Sequence, residues 1–258
     1  MEIFDLIQGD APLLISVPHA GTCVPKDIED RLTAKGKELS DTDWHVDRLY
    51  RPFTDLGATL ITANYHRTVI DLNRPRDGKS LYPGQAVTTL CPVDTFEGEP
   101  LYLDGQEPSA EEIEERAVTF WEPYHEAIGR ALARLRQSHD NVTLWDAHSI
   151  HNRIPRLFDG QLPDFNFGTN DGAAARAGLG EGLLKRVSED GRYSAVLNGR
   201  FKGGAITRGF GDPENGVSAV QLEMAQDCYM DQGAPFAWRA DKADEVQVVL
   251  RGLLDSLV

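Results

Sequence analysis

The sequence predicts an α/β fold: a single domain over residues 1–258 with a mixed, mostly parallel central sheet flanked by helices. Short apolar runs that end in polar residues alternate with segments of helical periodicity, the pattern of helices laid on a parallel sheet. The chain has 258 residues, long for one domain and short for two, and shows no internal repeat and no linker. A domain of this size buries about 70–75% of its unfolded surface, so its core needs no disulfide.

Pro12-Leu-Leu-Ile-Ser-Val17 reads as a strand stopped by Pro18-His19-Ala20-Gly21. Trp44, Leu49, Phe53 and Leu56 give helical spacing over 41–56, interrupted by Pro52 and closed by Gly57. Segments 58–62 and 68–71 read as strands. Residues 75–107 are rich in Gly, Pro and Asp without periodicity, which makes them a candidate lid. Ser109 and Glu112 form a capping box before a helix reaching about Gln137. Segment 141–145 is a buried-type strand leading into Asp146-Ala-His148-Ser149. A loop fills 155–170, a helix covers 171–189, and strands follow at 193–197 and 218–222. The last helix, 241–257, carries Val246, Val249, Leu250, Leu253 and Leu257 on one stripe.

Lys and Arg number 26 against 41 Asp and Glu, a formal charge of −15. Such a surface repels phosphate backbones and anionic headgroups, so neither nucleic acid nor membrane is expected as a partner. No apolar run approaches the roughly 18 residues of a membrane span. Three widely spaced cysteines, Cys23, Cys91 and Cys228, form no CxxC pair. The first nine residues are too short and acidic to be a targeting segment. Free thiols in a reducing compartment, the cytoplasm, are therefore expected.

His19, His148 and Glu223 each follow an apolar run directly, and open α/β sheets form sites at the carboxyl ends of their strands. The three are expected in one cleft. Asp146 and His148 point the same way along a strand, a carboxylate beside an imidazole as metal sites use it. Asp43 and Asp47, four apart on the expected helix, share a face; the helix terminus would stabilise Asp43, or a cation would bind Asp47. Two His and one carboxylate leave an open position on zinc, as catalytic sites require, with zinc ahead of another divalent metal by ligand type. Glu223 could then take a proton from water and pass it to a leaving amine. Arg67 and Arg74 suit carboxylates, and Arg200, Lys202 and Arg208 form a second basic group among glycines. A Ser–His–Asp reading of Asp146, His148 and Ser149 fails, because adjacent strand residues face opposite sides.

Together, Ser16-Val-Pro-His-Ala-Gly21, Thr42-Asp-Trp-His-Val-Asp-Arg-Leu-Tyr50, Arg67-Thr-Val-Ile-Asp-Leu-Asn-Arg74, Trp145-Asp-Ala-His-Ser149 and Ala219-Val-Gln-Leu-Glu223 resemble the N-formylglutamate amidohydrolase family. That family looks like a branch of the zinc carboxypeptidase and aspartoacylase group. The resemblance implies a zinc-carboxypeptidase-like (phosphorylase/hydrolase-like) sheet between helices. It also implies Arg67 as oxyanion stabiliser, Asn73 and Arg74 on a substrate carboxylate, and Glu223 as general base. Those relatives carry a Glu three residues after the first His, where this chain has Thr22. The carboxylate ligand must come from elsewhere, and Asp47 is taken ahead of Asp43. The expected chemistry is zinc held by His19, Asp47 and His148, with Arg74, Asn73 and Arg208 on the two carboxylates of an anionic N-acyl amino acid. The products would be formate and L-glutamate. The rival readings are a deacylase of another N-acyl amino acid or a carboxypeptidase, and a non-catalytic amino-acid-binding protein.

Overall fold

Alternation along the strands decides which helices lie on which face of the sheet. Residues 1–81 and 88–258 are described by the computed structural model. The first half forms β1 (Phe4–Ile7), β2 (Leu13–Val17), α1 (Lys26–Glu29), α2 (Val46–Tyr50), β3 (Thr59–Ala63), α3 (Ala110–Arg116) and α4 (Glu122–Arg136). Then come β4 (Val142–Ile150), β5 (Phe165–Gly168), α5 (Leu179–Asp190), β6 (Ala195–Leu197), α6 (Ala205–Phe210), β7 (Val217–Ala225) and α7 (Ala240–Leu254). Strand order is β1-β3-β2-β4-β7-β5-β6. The β2–β3, β2–β4, β4–β7 and β5–β6 pairings are parallel, and β1–β3 and β5–β7 antiparallel. The sheet is mostly parallel, as the alternation of the sequence predicts, and mixed, as the family resemblance implies.

On one face, Leu13, Ile15 and Val17 join Trp145, Ala147, Val220, Leu222 and Met224 beneath α2, α5 and α7. The expected stripe of the last helix, Val246, Val249, Leu250 and Leu253, is buried in this layer. On the other face, Leu14, Val142, Leu144 and Ala219 pack against Tyr124, Ala127, Ile128 and Ala131 of α4. Ser109 caps α3 by accepting the Glu112 N–H at 3.2 Å. A π-helical stretch, Ala117–Trp121, joins α3 to α4.

Several elements differ from expectation. Segment 68–71 is not a strand. Arg116 donates to the carbonyls of Thr68 (3.4 Å) and Val69 (3.0 Å), so a side chain takes the bonds a neighbouring strand would have taken. Segment 41–56 is not one helix. His45 adopts a left-handed φ of 63°, α2 starts only after it, and a tighter 3-10 turn (Arg51–Leu56) follows at Pro52. β1, β5 and α6 were not expected, and α5 begins later than expected, after Gly178. β4 and β7 run on to Ile150 and Ala225, which places His148 and Glu223 inside strands rather than just beyond them. The lid reading of 75–107 includes 82–87, which lie outside the described residues. Among the described residues, no helix is long and apolar enough to cross a membrane, and Cys23, Cys91 and Cys228 are free thiols.

Trp145 Nε1 donates to the Tyr50 hydroxyl at 3.0 Å, linking β4 to α2 in the core. Tyr50→Phe leaves that N–H buried without an acceptor and is expected to cost about 1–3 kcal/mol, read from the urea midpoint. An unchanged midpoint would mean that the bond adds nothing to stability.

Candidate active site

The parallel register of β4 and β7 sets Asp146 opposite Gln221 and His148 opposite Glu223. By alternation these four lie on the face of Val142, Leu144 and Ala219, so an apolar stripe under α4 turns polar towards the strand ends. His19 comes from the turn after β2. Gly21, in that turn, lies so close to the chain at Asn64 that a Cβ would sit 2.5 Å from the Asn64 carbonyl carbon. The Asp43 N–H donates to the His19 carbonyl at 3.0 Å, tying the segment before α2 to the same turn.

His19 Nε2 lies 2.8 Å from Asp71 Oδ1. A carboxylate only accepts, so Nε2 carries the proton and Nδ1 presents a lone pair. That lone pair faces His148 Nδ1 at 3.1 Å. Asp43 Oδ2 stands 3.2 Å from His148 Nδ1 and 3.8 Å from His19 Nδ1, and also accepts the Ser149 N–H at 3.1 Å. His148 Nε2 is 3.0 Å from Asp146 Oδ2. All three side chains are buried. Ligand atoms about 2.0–2.1 Å from a tetrahedral zinc stand roughly 3.3 Å from one another, close to the three separations seen here. The donor set therefore fits a divalent metal, with both imidazoles backed by carboxylates.

The charge balance agrees. Asp43, Asp71 and Asp146 are buried around the two rings, with Arg67 pairing Asp43 and Arg74 lying 3.8 Å from Asp71. Burial acts to raise Asp43, but Arg67 and the two histidines outweigh it and hold the carboxyl below its usual range. Burial likewise opposes ionisation of Asp71, and Arg74 and His19 overcome it. Burial and then Arg67 push His19 down. At His148 burial acts downward, yet Asp146 and Asp43 hold the ring well above its ordinary value. A proton on His148 thus supplies positive charge where a cation would. Glu223 is pushed up to about 8, chiefly by burial, so it exchanges a proton near neutrality. Gln221 Nε2 donates to its Oε2 at 3.3 Å.

Support comes from the loop that carries Asp71 and Asn73. Asn73 Oδ1 accepts the Ile206 N–H at 2.9 Å, and its Nδ2 lies 3.2 Å from both Asp146 Oδ2 and Gln221 Oε1. Gly204 is required against this amide, because a Cβ there would lie 2.5 Å from Asn73 Cγ. On the other side, His125 Nε2 donates to the Leu72 carbonyl (2.8 Å) and Trp121 Nε1 to the Arg74 carbonyl (3.0 Å), their rings stacked 3.5 Å apart. Trp121 ends the π-helical stretch, a local widening that helices often carry at functional sites.

The cleft is lined by His19, Arg67, Arg74, His148, Arg200 and Glu223, among others. Three expected placements need correction. Asp47 is exposed in the first turn of α2; the left-handed residue His45 breaks the expected helix, so Asp43 turns inward and Asp47 does not. Asn73 lines the cleft, but both atoms of its amide are engaged within the protein, so it positions Asp146 and Gln221 rather than offering a free carboxylate partner. Arg208, on α6, is outside the residues that line the cleft, and its Nε donates to the Gly203 carbonyl at 2.8 Å; Arg200 lines it instead. Arg74 lines it too, with Nε and Nη2 donating to Thr88. Arg67 pairs Asp43 through Nη2, lies over the Phe96 ring at 4.9 Å, and keeps a buried Nε without a hydrogen-bond partner. Asp71, Gln221, Trp121 and His125 were missed. Asp71 and Gln221 had a signal, as residues inside the Arg67–Arg74 and Ala219–Glu223 motifs.

The model of the family described as N-formylglutamate amidohydrolase matches residues 11–230. N-formylglutamate deformylase of Pseudomonas putida is 50% identical over 257 residues, 100% of this chain and 96% of that protein. The enzyme of the same name from Pseudomonas aeruginosa is 49% identical with the same coverage. The crystal structure of N-formylglutamate amidohydrolase from Ralstonia eutropha superposes with a TM-score of 0.83 at 25% identity, over 98% of this chain and 96% of that one. A gene product of Agrobacterium tumefaciens shares the fold at a TM-score of 0.71 and 16% identity, over 99% and 96% of the two chains. With a family match over most of its length and relatives that it covers end to end, this chain belongs to the N-formylglutamate amidohydrolase family.

Proposed function

We propose that the chain hydrolyses N-formyl-L-glutamate to formate and L-glutamate, with a zinc ion held by His19, Asp43 and His148 and with Glu223 as general base. The observation that carries this reading is the meeting of two carboxylate-backed imidazoles and Asp43 beside Glu223, in a chain 50% identical along its length to an N-formylglutamate deformylase. Held by His19, Asp43 and His148, zinc would supply Lewis acidity towards an amide carbonyl and towards water near neutral pH. Glu223, poised near neutrality by burial, takes the proton from the attacking water and returns it to the nitrogen as the C–N bond breaks. Asp71 and Asp146 orient the two rings. Arg67, on the cleft wall, is the cation placed to stabilise negative charge on the former carbonyl oxygen. Arg74 and Arg200, on the cleft wall, face the carboxylates of the substrate.

The Asp-Leu-Asn-Arg and Asp-Ala-His-Ser stretches support a wider kinship with zinc carboxypeptidases and aspartoacylases. The three free cysteines support a cytoplasmic, reducing setting.

Exhaustive chelation is expected to abolish turnover and added zinc to restore it. Asp43→Asn should purify with little zinc and Asp47→Asn with the wild-type content, measured by elemental analysis; equal zinc in both variants would remove Asp43 from the ligand set. Glu223→Gln should retain zinc while kcat falls by about 10²–10⁴, and a wild-type rate would assign the base elsewhere. Each methylene added to the acyl group is expected to lower kcat/KM by about 10–200-fold, compared across N-formyl-, N-acetyl- and N-succinyl-glutamate. Faster cleavage of a longer acyl chain would overturn the formyl assignment.

A further inference from the structure

Of the three candidate ligands, Asp43 sits where the backbone is least regular. His148 belongs to β4, whereas Asp43 precedes α2, and the chain passes through the left-handed residue His45 before that helix begins. Neither a helix nor a strand ladder therefore aims the Asp43 carboxylate.

The bonds that hold this segment come from the far end of β7. Gln226 opens the 3-10 turn (Gln226–Cys228) after that strand, and Tyr229 follows the turn. Gln226 Nε2 donates to the Thr42 carbonyl at 3.0 Å, and the Tyr229 hydroxyl donates to the Trp44 carbonyl at 2.8 Å. These two bonds secure the chain one residue before and one residue after Asp43.

Ser149 joins them. A carbonyl only accepts, so the tyrosine proton lies on the Trp44 side, and the Ser149 hydroxyl donates to the tyrosine oxygen at 2.6 Å. Ser149 Oγ is also 3.4 Å from Gln226 Nε2, and the Ser149 N–H donates to Asp43 Oδ2 at 3.1 Å. The bonds enclose Asp43: Ser149 holds its carboxylate, and Gln226 and Tyr229 hold the carbonyls on either side. Tyr229 is 0% exposed and packs in the apolar layer beneath α7, so its hydroxyl reaches no substrate. A hydroxyl in such a layer is costly unless it is bonded, and the bonds that satisfy it lead to Asp43.

We propose that Tyr229 is a positioning residue for the candidate metal site, its hydroxyl setting the Asp43 carboxylate against His148 through the Trp44 carbonyl and Ser149. The proposal rests on the reading of Asp43 as a metal ligand. Without the hydroxyl, the Trp44 carbonyl loses this donor and Ser149 Oγ–H its acceptor, and Gln226 alone holds the segment from the β7 side. Partners that orient a ligand typically carry about 10–100-fold of a site's metal affinity.

The test compares Tyr229→Phe with Tyr50→Phe, which removes another buried phenol hydroxyl from the same apolar layer, one bonded to Trp145 instead. Zinc affinity of the full chain is measured by chelator competition, and exchange of the Ser149 amide is followed in metal-free protein. Tyr229→Phe is expected to bind zinc about 10–100-fold more weakly and to exchange the Ser149 amide faster while other β4 amides keep their protection. Tyr50→Phe should keep wild-type zinc affinity despite its loss of stability. Ser149→Ala, which removes the hydroxyl and keeps the N–H, should also weaken zinc, and covers the case in which Tyr229→Phe fails to fold. Wild-type zinc affinity in the folded variants, or an equal loss in Tyr50→Phe, would overturn the proposal. If the wild-type chain itself bound no zinc, the metal reading would fall, and the metal-free exchange would decide alone: unchanged protection of Ser149 in Tyr229→Phe would show that Tyr229 does not position Asp43.

Discussion

Nine consecutive residues of β4 pair in parallel with nine of β7, and this register holds the chemistry in place. It sets Glu223 beside His148 and Gln221 beside Asp146. A slip of one residue would turn every β7 side chain to the other face, sending Glu223 into the layer beneath α7 and Val220, Leu222 and Met224 towards the polar cleft. Those three residues are fully buried, so the slip would forfeit their burial while stranding a carboxyl in an apolar layer. Core packing on one face thus enforces the placement of His148 and Glu223 on the other. The site does not have to hold its own register.

What the site does have to hold is charge. Removing a carboxylate or guanidinium from water costs several kcal/mol per ion unless partners replace the water, and here the partners are mutual. Asp71 is spent on His19 and on the Asn73 N–H (2.9 Å), and Asp43 on Arg67, His148 and the Ser149 N–H. Such a mesh tolerates little displacement of the loop that brings Asp71 and Asn73. The π-helical turn explains how the loop is fixed. It brings the Trp121 and His125 rings face to face, and each donates to a carbonyl of the loop, at Arg74 and Leu72. Burial lowers the His125 pKa to about 4, so the ring stays neutral and stacks on Trp121 without carrying a charge into the layer.

Period-two alternation made the Asp146–His148 partnership legible before any coordinates, because strand geometry is nearly independent of sequence context. Helical periodicity misled at Asp47, because a single backbone dihedral at His45 ends the pattern and no residue type there announces it. His45 is not Gly, and its left-handed conformation is maintained by tertiary contacts, including the 2.8 Å bond from its ring to the Phe236 carbonyl. Segment 68–71 misled for a related reason. Its β-branched residues are buried as expected, but a guanidinium from α3 takes their carbonyls. Asn73 was expected on a substrate carboxylate because the family resemblance of its motif implied it. That the amide is already saturated depends on Gln221 and Ile206, almost 150 residues away along the chain in the case of Gln221. Residue type and local period reveal what a side chain can do; whether it remains free to do it is decided by distant segments.

The chain's charge of −15 is at odds with an anionic substrate only if the charge is taken as uniform. At physiological ionic strength fields decay over about 8 Å, so most surface carboxylates are invisible from inside the cleft. What a ligand meets there is Arg67, Arg74 and Arg200 on the wall, in a setting where low dielectric strengthens each of them. Phe96 divides this basic compartment from the acidic one behind it, touching the Arg67 guanidinium on one side and bonded through its N–H to Asp41 on the other. Guanidinium groups line the first compartment and carboxylates the second, so the ring stands between opposite charges. This separation of charge across one aromatic ring requires no moving part, and it needs only that Asp41 keep Phe96 where Arg67 can rest on it.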